Sequence, residues 1–92
     1  MRCKWDPAKA KANIESHGVS FVEAVTVLED DFALTREDSD ARDEQRFVTL
    51  VMSSVGNLLV VVYTYREPEV IRLISAWKAN KPQRSRYEEN RR

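Results

Sequence analysis

The side chains best suited to chemistry in this chain of 92 residues are few and of distinct kinds: Arg66 and Arg72, a single histidine, His17, and Glu44 just ahead of a long apolar stretch. An arginine fork bonds two anionic oxygens at once and stays charged at any working pH, so the two arginines are suited to gripping an anion. An imidazole such as that of His17 can take up and give back a proton, although an imidazole at a helix end more commonly bonds backbone. Glu44 is the alternative base, and the competing reading of it is a plain surface acid. The competing reading of the arginines is a pair of solvated edge charges that discourage one sheet from pairing with another. One Cys and one His supply too few of the usual ligands for a zinc site, and the chain has no glycine-rich phosphate loop, HExxH or CxxC. No metal and no cofactor is expected.

The elements that must position these groups are legible from the apolar pattern. Leu58 to Tyr65 is apolar or aromatic everywhere except Thr64, as in a strand covered on both faces. Phe47 to Ser53 is a second run, and Gly56-Asn57 between them tolerates the positive φ of a hairpin turn. Arg66 to Glu69, with Pro68, reads as the next turn, ahead of a third strand from Val70 to Ala76. The result is a three-stranded antiparallel meander. Strict alternation puts Arg66 on the face of Thr64, Val62 and Val60, and Arg72 on the face of Val70, Ile74 and Ala76, opposite Ile71, Leu73 and Trp77. If Thr64 lies opposite Arg72 the two arginines share a face, and a slip of one residue separates them.

Ahead of the meander, Arg2 to Trp5 is extended, Asp6 and Pro7 begin a helix, and the helix runs to His17 with Gly18 as its left-handed stop. Its weak apolar face is traced by Ala8, Ala12 and Ile14 or Glu15. Ser20 and Glu23 form a capping box for a second helix whose inner face is Phe21, Ala24, Val25 and Leu28. A short strand fits Phe32 to Thr35, and the acidic run Glu37 to Glu44 is a solvated loop. A last helix starts at Asn80 with Gln83 as its capping partner; Ala79 and Tyr87 are nearly all the apolar surface it has. The whole is a small single-domain α+β fold over residues 1–92, two N-terminal helices packed on an antiparallel meander with a C-terminal helix.

The formal net charge is zero, but residues 29–45 carry eight acids against two bases and residues 66–92 carry eight bases against four acids. Such a chain is not a strongly basic nucleic-acid binder by its totals, yet its C-terminal part carries a basic surface. A lone Cys3 excludes an intrachain disulfide, and no apolar run approaches the ~20 residues that cross a bilayer. A cytoplasmic protein without a membrane partner is expected.

The phrases WDPAKAKANIESHGVSFVEAVTVLEDDFAL, DEQRFVTLVMSSVGNLLVVVYTYRE, VIRLISAWKA and RSRYEE together resemble the BrnT family of type II toxins, from about Lys4 to Glu89. The combination of WDP, HGVSF and the VxYTxR…IRxISAxKA ending carries the resemblance. It implies a RelE-like fold, an endoribonuclease that blocks translation, and a BrnA-like antitoxin with a ribbon-helix-helix domain, so that DNA is contacted only through that partner. An alternative within the same resemblance is a catalytically weak or inactive relative that binds the antitoxin and modulates its grip on DNA.

Such a nuclease, working through the RNA's own 2′-hydroxyl, needs cations around a phosphorane-like transition state together with a base and an acid. On this chain the cations are Arg66, Arg72 and Lys78, the base His17 or Glu44, and the RNA-binding groups Arg46, Arg84, Trp77 and Tyr87. Tyr63 reads first as core, and Trp5 and Trp77 read first as packing residues. The chain departs from the family pattern at Trp77, where members typically carry an arginine.

Overall fold

The computed structural model describes residues 2–26 and 30–91. Strands β1 (Arg2–Lys4), β2 (Leu34–Glu37), β3 (Phe47–Met52), β4 (Leu58–Glu67) and β5 (Val70–Lys78) form one sheet in the order β1-β5-β4-β3-β2. Helices α1 (Pro7–His17) and α2 (Phe21–Val25) precede β2, and α3 (Lys81–Arg91) follows β5. The meander β3-β4-β5 lies where the apolar pattern places it, but the sheet has two more members. β1 pairs in parallel with β5 and β2 pairs antiparallel with β3, so the three-stranded antiparallel sheet expected from sequence is a five-stranded mixed one. The added strand lies two residues later than the apolar pattern suggests, at Leu34–Glu37, because Leu34 has a core to enter while Phe32 is left exposed.

β4 is the middle strand, and Leu58 through Thr64 are all buried, as a strand covered on both faces requires. One face, with Leu59, Val61, Tyr63, Ile71, Leu73 and Ala76, receives Val19, Phe21 and Ala24 from the N-terminal helices and the turn between them. The other, with Leu50, Leu58 and Val60, receives Tyr87 of α3. Leu28, expected on the inner face of the second helix, lies outside the described residues.

The helix ends follow local chemistry. Asp6 accepts from the Ala8 amide at 2.8 Å, Pro7 opens α1, and Gly18 closes it at φ 69°. Ser20 caps α2 through the Glu23 amide, and Asn80 and Gln83 cap α3 reciprocally at 2.8 and 2.9 Å. The inner face of α1 is a different matter: Ala8, Ala12 and Ile14 point outward, Ile14 being 51 % exposed, and the buried residue is Asn13, 5 % exposed. What decides this is backbone. β1 pairs only with Val70 to Arg72, so the outer edge of β5 beyond that point has peptide groups without a strand partner. The Asn13 amide supplies one: Nδ2 donates to the Ala76 carbonyl at 2.8 Å and Oδ1 accepts from the Ala76 amide at 3.1 Å, while Nδ2 also donates to the Val19 carbonyl and Oδ1 accepts from the Ser75 hydroxyl.

The β4–β5 register skips twice, at Val62/Tyr63 and at Tyr65/Glu67. The first skip leaves Ile74 without a partner and reverses the alternation, so Ala76 joins the Ile71 and Leu73 core while Trp77 packs with the α3 cluster. Strict alternation from sequence put both on the wrong side. The second skip leaves Arg66 as the extra residue.

On the far face, α3 is held by Asp30, whose Oδ2 accepts from the Tyr87 hydroxyl at 2.6 Å and from the Met52 amide at 2.8 Å. Burial raises the Asp30 pKa, but the bonds from Tyr87, Met52 and Phe32 and the charge of Arg91 outweigh it and leave the carboxyl below its ordinary value. Burial, then the bond to and charge of Asp30, push the Tyr87 phenol up to about 12.

Two outcomes are expected. Asn13→Ala strands the Ala76 and Val19 groups and should lower unfolding free energy in urea by about 3 kcal/mol, while Ala12→Ser, on the exposed side of the same helix, should change it by less than about 0.5. Tyr87→Phe should cost about 2 kcal/mol at pH 7. The carboxyl, lowered by folding, gives stability that is lost as pH falls below about 4. The phenol, raised by folding, gives stability that is lost as pH rises from about 10 toward 12. The gap between Tyr87→Phe and the parent should therefore narrow at both ends of a pH series of melts.

Candidate functional site

Three hollows follow one another along β5. The first, about 270 Å³, is lined by Lys4, Trp5, Arg66 and Arg72. The second, about 390 Å³, takes Lys9, Ser16 and His17 from α1, Arg46 from the loop before β3, and Ile74 and Ser75 from β5. The third, an open cleft of about 580 Å³, is lined by Ser16, His17, Trp77 and Lys78, so it shares two residues with the second. From Arg72 to Lys78 the track runs about 20 Å at strand rise.

Local structure sets each of these side chains. Arg72 stands opposite Thr64 and beside Lys4 in the parallel pair, which brings Lys4, Arg66 and Arg72 to one hollow. Thr64, buried, donates its hydroxyl to the Gln45 carbonyl at 2.6 Å, and the Asp38 amide donates to the Arg46 carbonyl at 2.8 Å. These two bonds staple the end of the acidic loop over β4 and carry Glu44 and Arg46 to the track. Glu44 then sits between two hollows: Oε1 accepts from Arg46 Nε at 3.4 Å and Oε2 lies 3.8 Å from Arg66 Nη1. His17 is exposed at the end of α1, its ring centroid 5.9 Å from that of Trp77 at 45°.

Thus Arg66, Arg72, Glu44, Arg46, His17, Trp77 and Lys78 lie along one track, while two other sequence candidates do not line it. Arg84 is exposed on α3 and lines none of the three hollows. Tyr87 is corrected outright: it is 2 % exposed, with its ring in the Leu50, Leu58 and Val60 core and its hydroxyl on Asp30, leaving no face for a base. Tyr63 is core, and Tyr65, 44 % exposed, meets it and Phe47 edge-to-face on the opposite face. Lys4 and Lys9 were missed. Nothing local marks them, because Lys4 reaches the site through parallel pairing and Lys9 through the docking of α1.

A strip of cations laid along a sheet edge, with a histidine in it and Glu44 as the carboxylate beside it, defines a small α+β protein equipped to hold a polyanion such as a nucleic-acid backbone. The model of the family described as the ribonuclease toxin BrnT of type II toxin–antitoxin systems matches residues 5–83, and the chain belongs to that family. The crystal structure of the Brucella abortus ribonuclease toxin BrnT, solved at 1.1 Å, has the same fold: TM-score 0.66 at 20 % identity over 88 % of this chain and 99 % of that one. No curated protein matches the chain.

Trp77 is half-buried against the α3 core, so Trp77→Arg replaces packed indole with a guanidinium that must reach for solvent. A loss of about 2 kcal/mol is expected in chemical denaturation, against less than about 0.5 for Arg84→Ala.

Proposed function

We propose that this toxin has the RelE-like architecture and cleaves RNA without a metal, through attack of the RNA's own 2′-hydroxyl on the adjacent phosphate, so that translation stops. The observation that carries the reading is the convergence of Lys4, Arg66 and Arg72 on one hollow that leads along β5 to His17. Arg66 and Arg72 grip the non-bridging oxygens, whose charge grows as the phosphorane forms, and so bind the transition state better than the ground state. His17 takes the 2′-proton as the new O–P bond forms, with Arg46 in the same hollow and Lys78 in the next stabilising the charge nearby, and the bond from phosphorus to the 5′-oxygen breaks as that oxygen takes a proton from water. Trp77 offers an aromatic edge on which a base can stack. Supporting the metal-free reading, the side chains that line the track are mostly cationic, Lys4, Arg66, Arg72, Arg46 and Lys78, and so are suited to holding phosphate directly. No helix among the described residues is long and apolar enough to cross a membrane.

The partner in this reading is a BrnA-like ribbon-helix-helix antitoxin, which covers the basic track and carries the toxin to DNA. A second reading, a weak or inactive relative that modulates the antitoxin, is favoured by the packing of Trp77 into the core where the family arginine would stand.

Expression in a host cell separates the two. Growth arrest should appear without the antitoxin and vanish with it, and purified protein should cut RNA in EDTA as fast as in Mg²⁺. Arg66→Ala and Arg72→Ala should each lower cleavage about 10² to 10³-fold with an unchanged melting temperature. Unimpeded growth on expression of the folded parent would favour the second reading, and cleavage that needs Mg²⁺ would reject the metal-free mechanism.

A further inference from the structure

We infer that the space between Arg46 and Arg66 is a phosphodiester-binding subsite, and that Glu44 is its resident anion in the free protein, displaced when RNA enters. The inference rests on the RNA-cleaving reading above and gives Glu44 a role other than that of a base.

The geometry is specific. The two oxygens of the Glu44 carboxylate face different guanidinium groups, one 3.4 Å from Arg46 Nε and the other 3.8 Å from Arg66 Nη1, as two non-bridging oxygens of a phosphate would. Arg46 lines the hollow that contains His17, and Arg66 lines the hollow that contains Arg72 and Lys4. A chain running along β5 must pass this junction, and Glu44 occupies it. The contacts are those of a replaceable occupant: both distances are long for charge-assisted bonds, and the Glu44 side chain keeps 25 % of its exposure.

The loop explains how an acid came to stand among cations. Its backbone is fixed by the Thr64 bond to the Gln45 carbonyl and the Asp38 bond to the Arg46 carbonyl, whereas the Glu44 side chain is tied only by the two arginines among the described residues. The carboxylate can swing away without moving the strand beneath. In the free protein it keeps the two like charges from repelling and holds the guanidinium groups pointing at the junction. An incoming phosphate inherits that arrangement.

Binding is measured with a single-stranded, 2′-O-methylated RNA octamer, which lacks the nucleophile and stays intact. Glu44→Gln and Glu44→Ala should bind it roughly tenfold more tightly than the parent at low salt, because no carboxylate competes. The slope of log affinity against log salt should steepen by about 0.7, one additional phosphate neutralised by the freed arginines. Glu44→Asp should stay close to the parent, and thermal melts of all three should match it. Binding by Glu44→Gln and Glu44→Ala equal to or weaker than the parent would overturn the inference. If cleavage of unmodified RNA then fell a hundredfold with binding unchanged, Glu44 would be the base. Arg72→Ala separates this from the larger reading: weakened octamer binding in that variant keeps the RNA track in place even where Glu44→Gln does nothing, and no effect in either variant sinks both.

Discussion

The architecture depends on one buried side-chain amide. Asn13 sits on a helix with almost no apolar face, and it meets a strand whose outer edge has lost its neighbour after three residues of parallel pairing. An apolar residue there would leave the Ala76 amide and carbonyl without partners, each at a cost comparable to a lost hydrogen bond. The side-chain amide carries a donor and an acceptor in the same spacing as a peptide group, so it continues the sheet edge while belonging to a helix. It also ties the Val19 carbonyl, which fixes how the chain turns from α1 into α2. The position of His17, one helical turn beyond Asn13, follows from that anchor.

The same device recurs wherever an irregular segment meets the sheet. The Glu23 carboxylate of α2 accepts from the Ser53 hydroxyl at 2.7 Å and the Asn57 amide at 2.8 Å, joining the helix to the hairpin turn. Asp30 joins α3 to the end of β3, and Thr64 pins the acidic loop. A domain of this size buries a modest apolar core, so polar clasps with several donors to one acceptor supply orientation that packing alone leaves loose. All four clasps, Asn13, Glu23, Asp30 and Thr64, use polar residues, which a count of hydrophobic periodicity leaves aside.

The zero net charge conceals a separation that folding partly reverses. Along the chain, acids and bases lie in different segments; in space, the end of the acidic segment is folded against the basic strip, where Glu44 meets Arg46 and Arg66. A ribonuclease toxin has reason for such an arrangement. A bare cationic groove attracts any polyanion, and a carboxylate standing between two of its arginines weakens that unselective attraction.

What the sequence determined by itself was local or periodic. The two caps of α1, the capping box of α3, the hairpin at Gly56-Asn57 and the doubly buried β4 all rest on residues within a few positions of one another, and the family was legible in phrases spread over most of the chain. Of the site, Arg66, Arg72, His17, Glu44, Arg46, Trp77 and Lys78 were named from residue type and resemblance, but not their common track. Only the tertiary structure decided that. One unpaired residue, Ile74, reversed the alternation and sent Trp77 to the other face; parallel pairing brought Lys4 beside Arg72; the Asp30 carboxylate drew Tyr87 inward and away from the track along β5. Each of these is a contact between segments distant in sequence. A bulge costs one strand little and changes the side of every residue after it, so no alternation pattern read from one strand alone can foresee it.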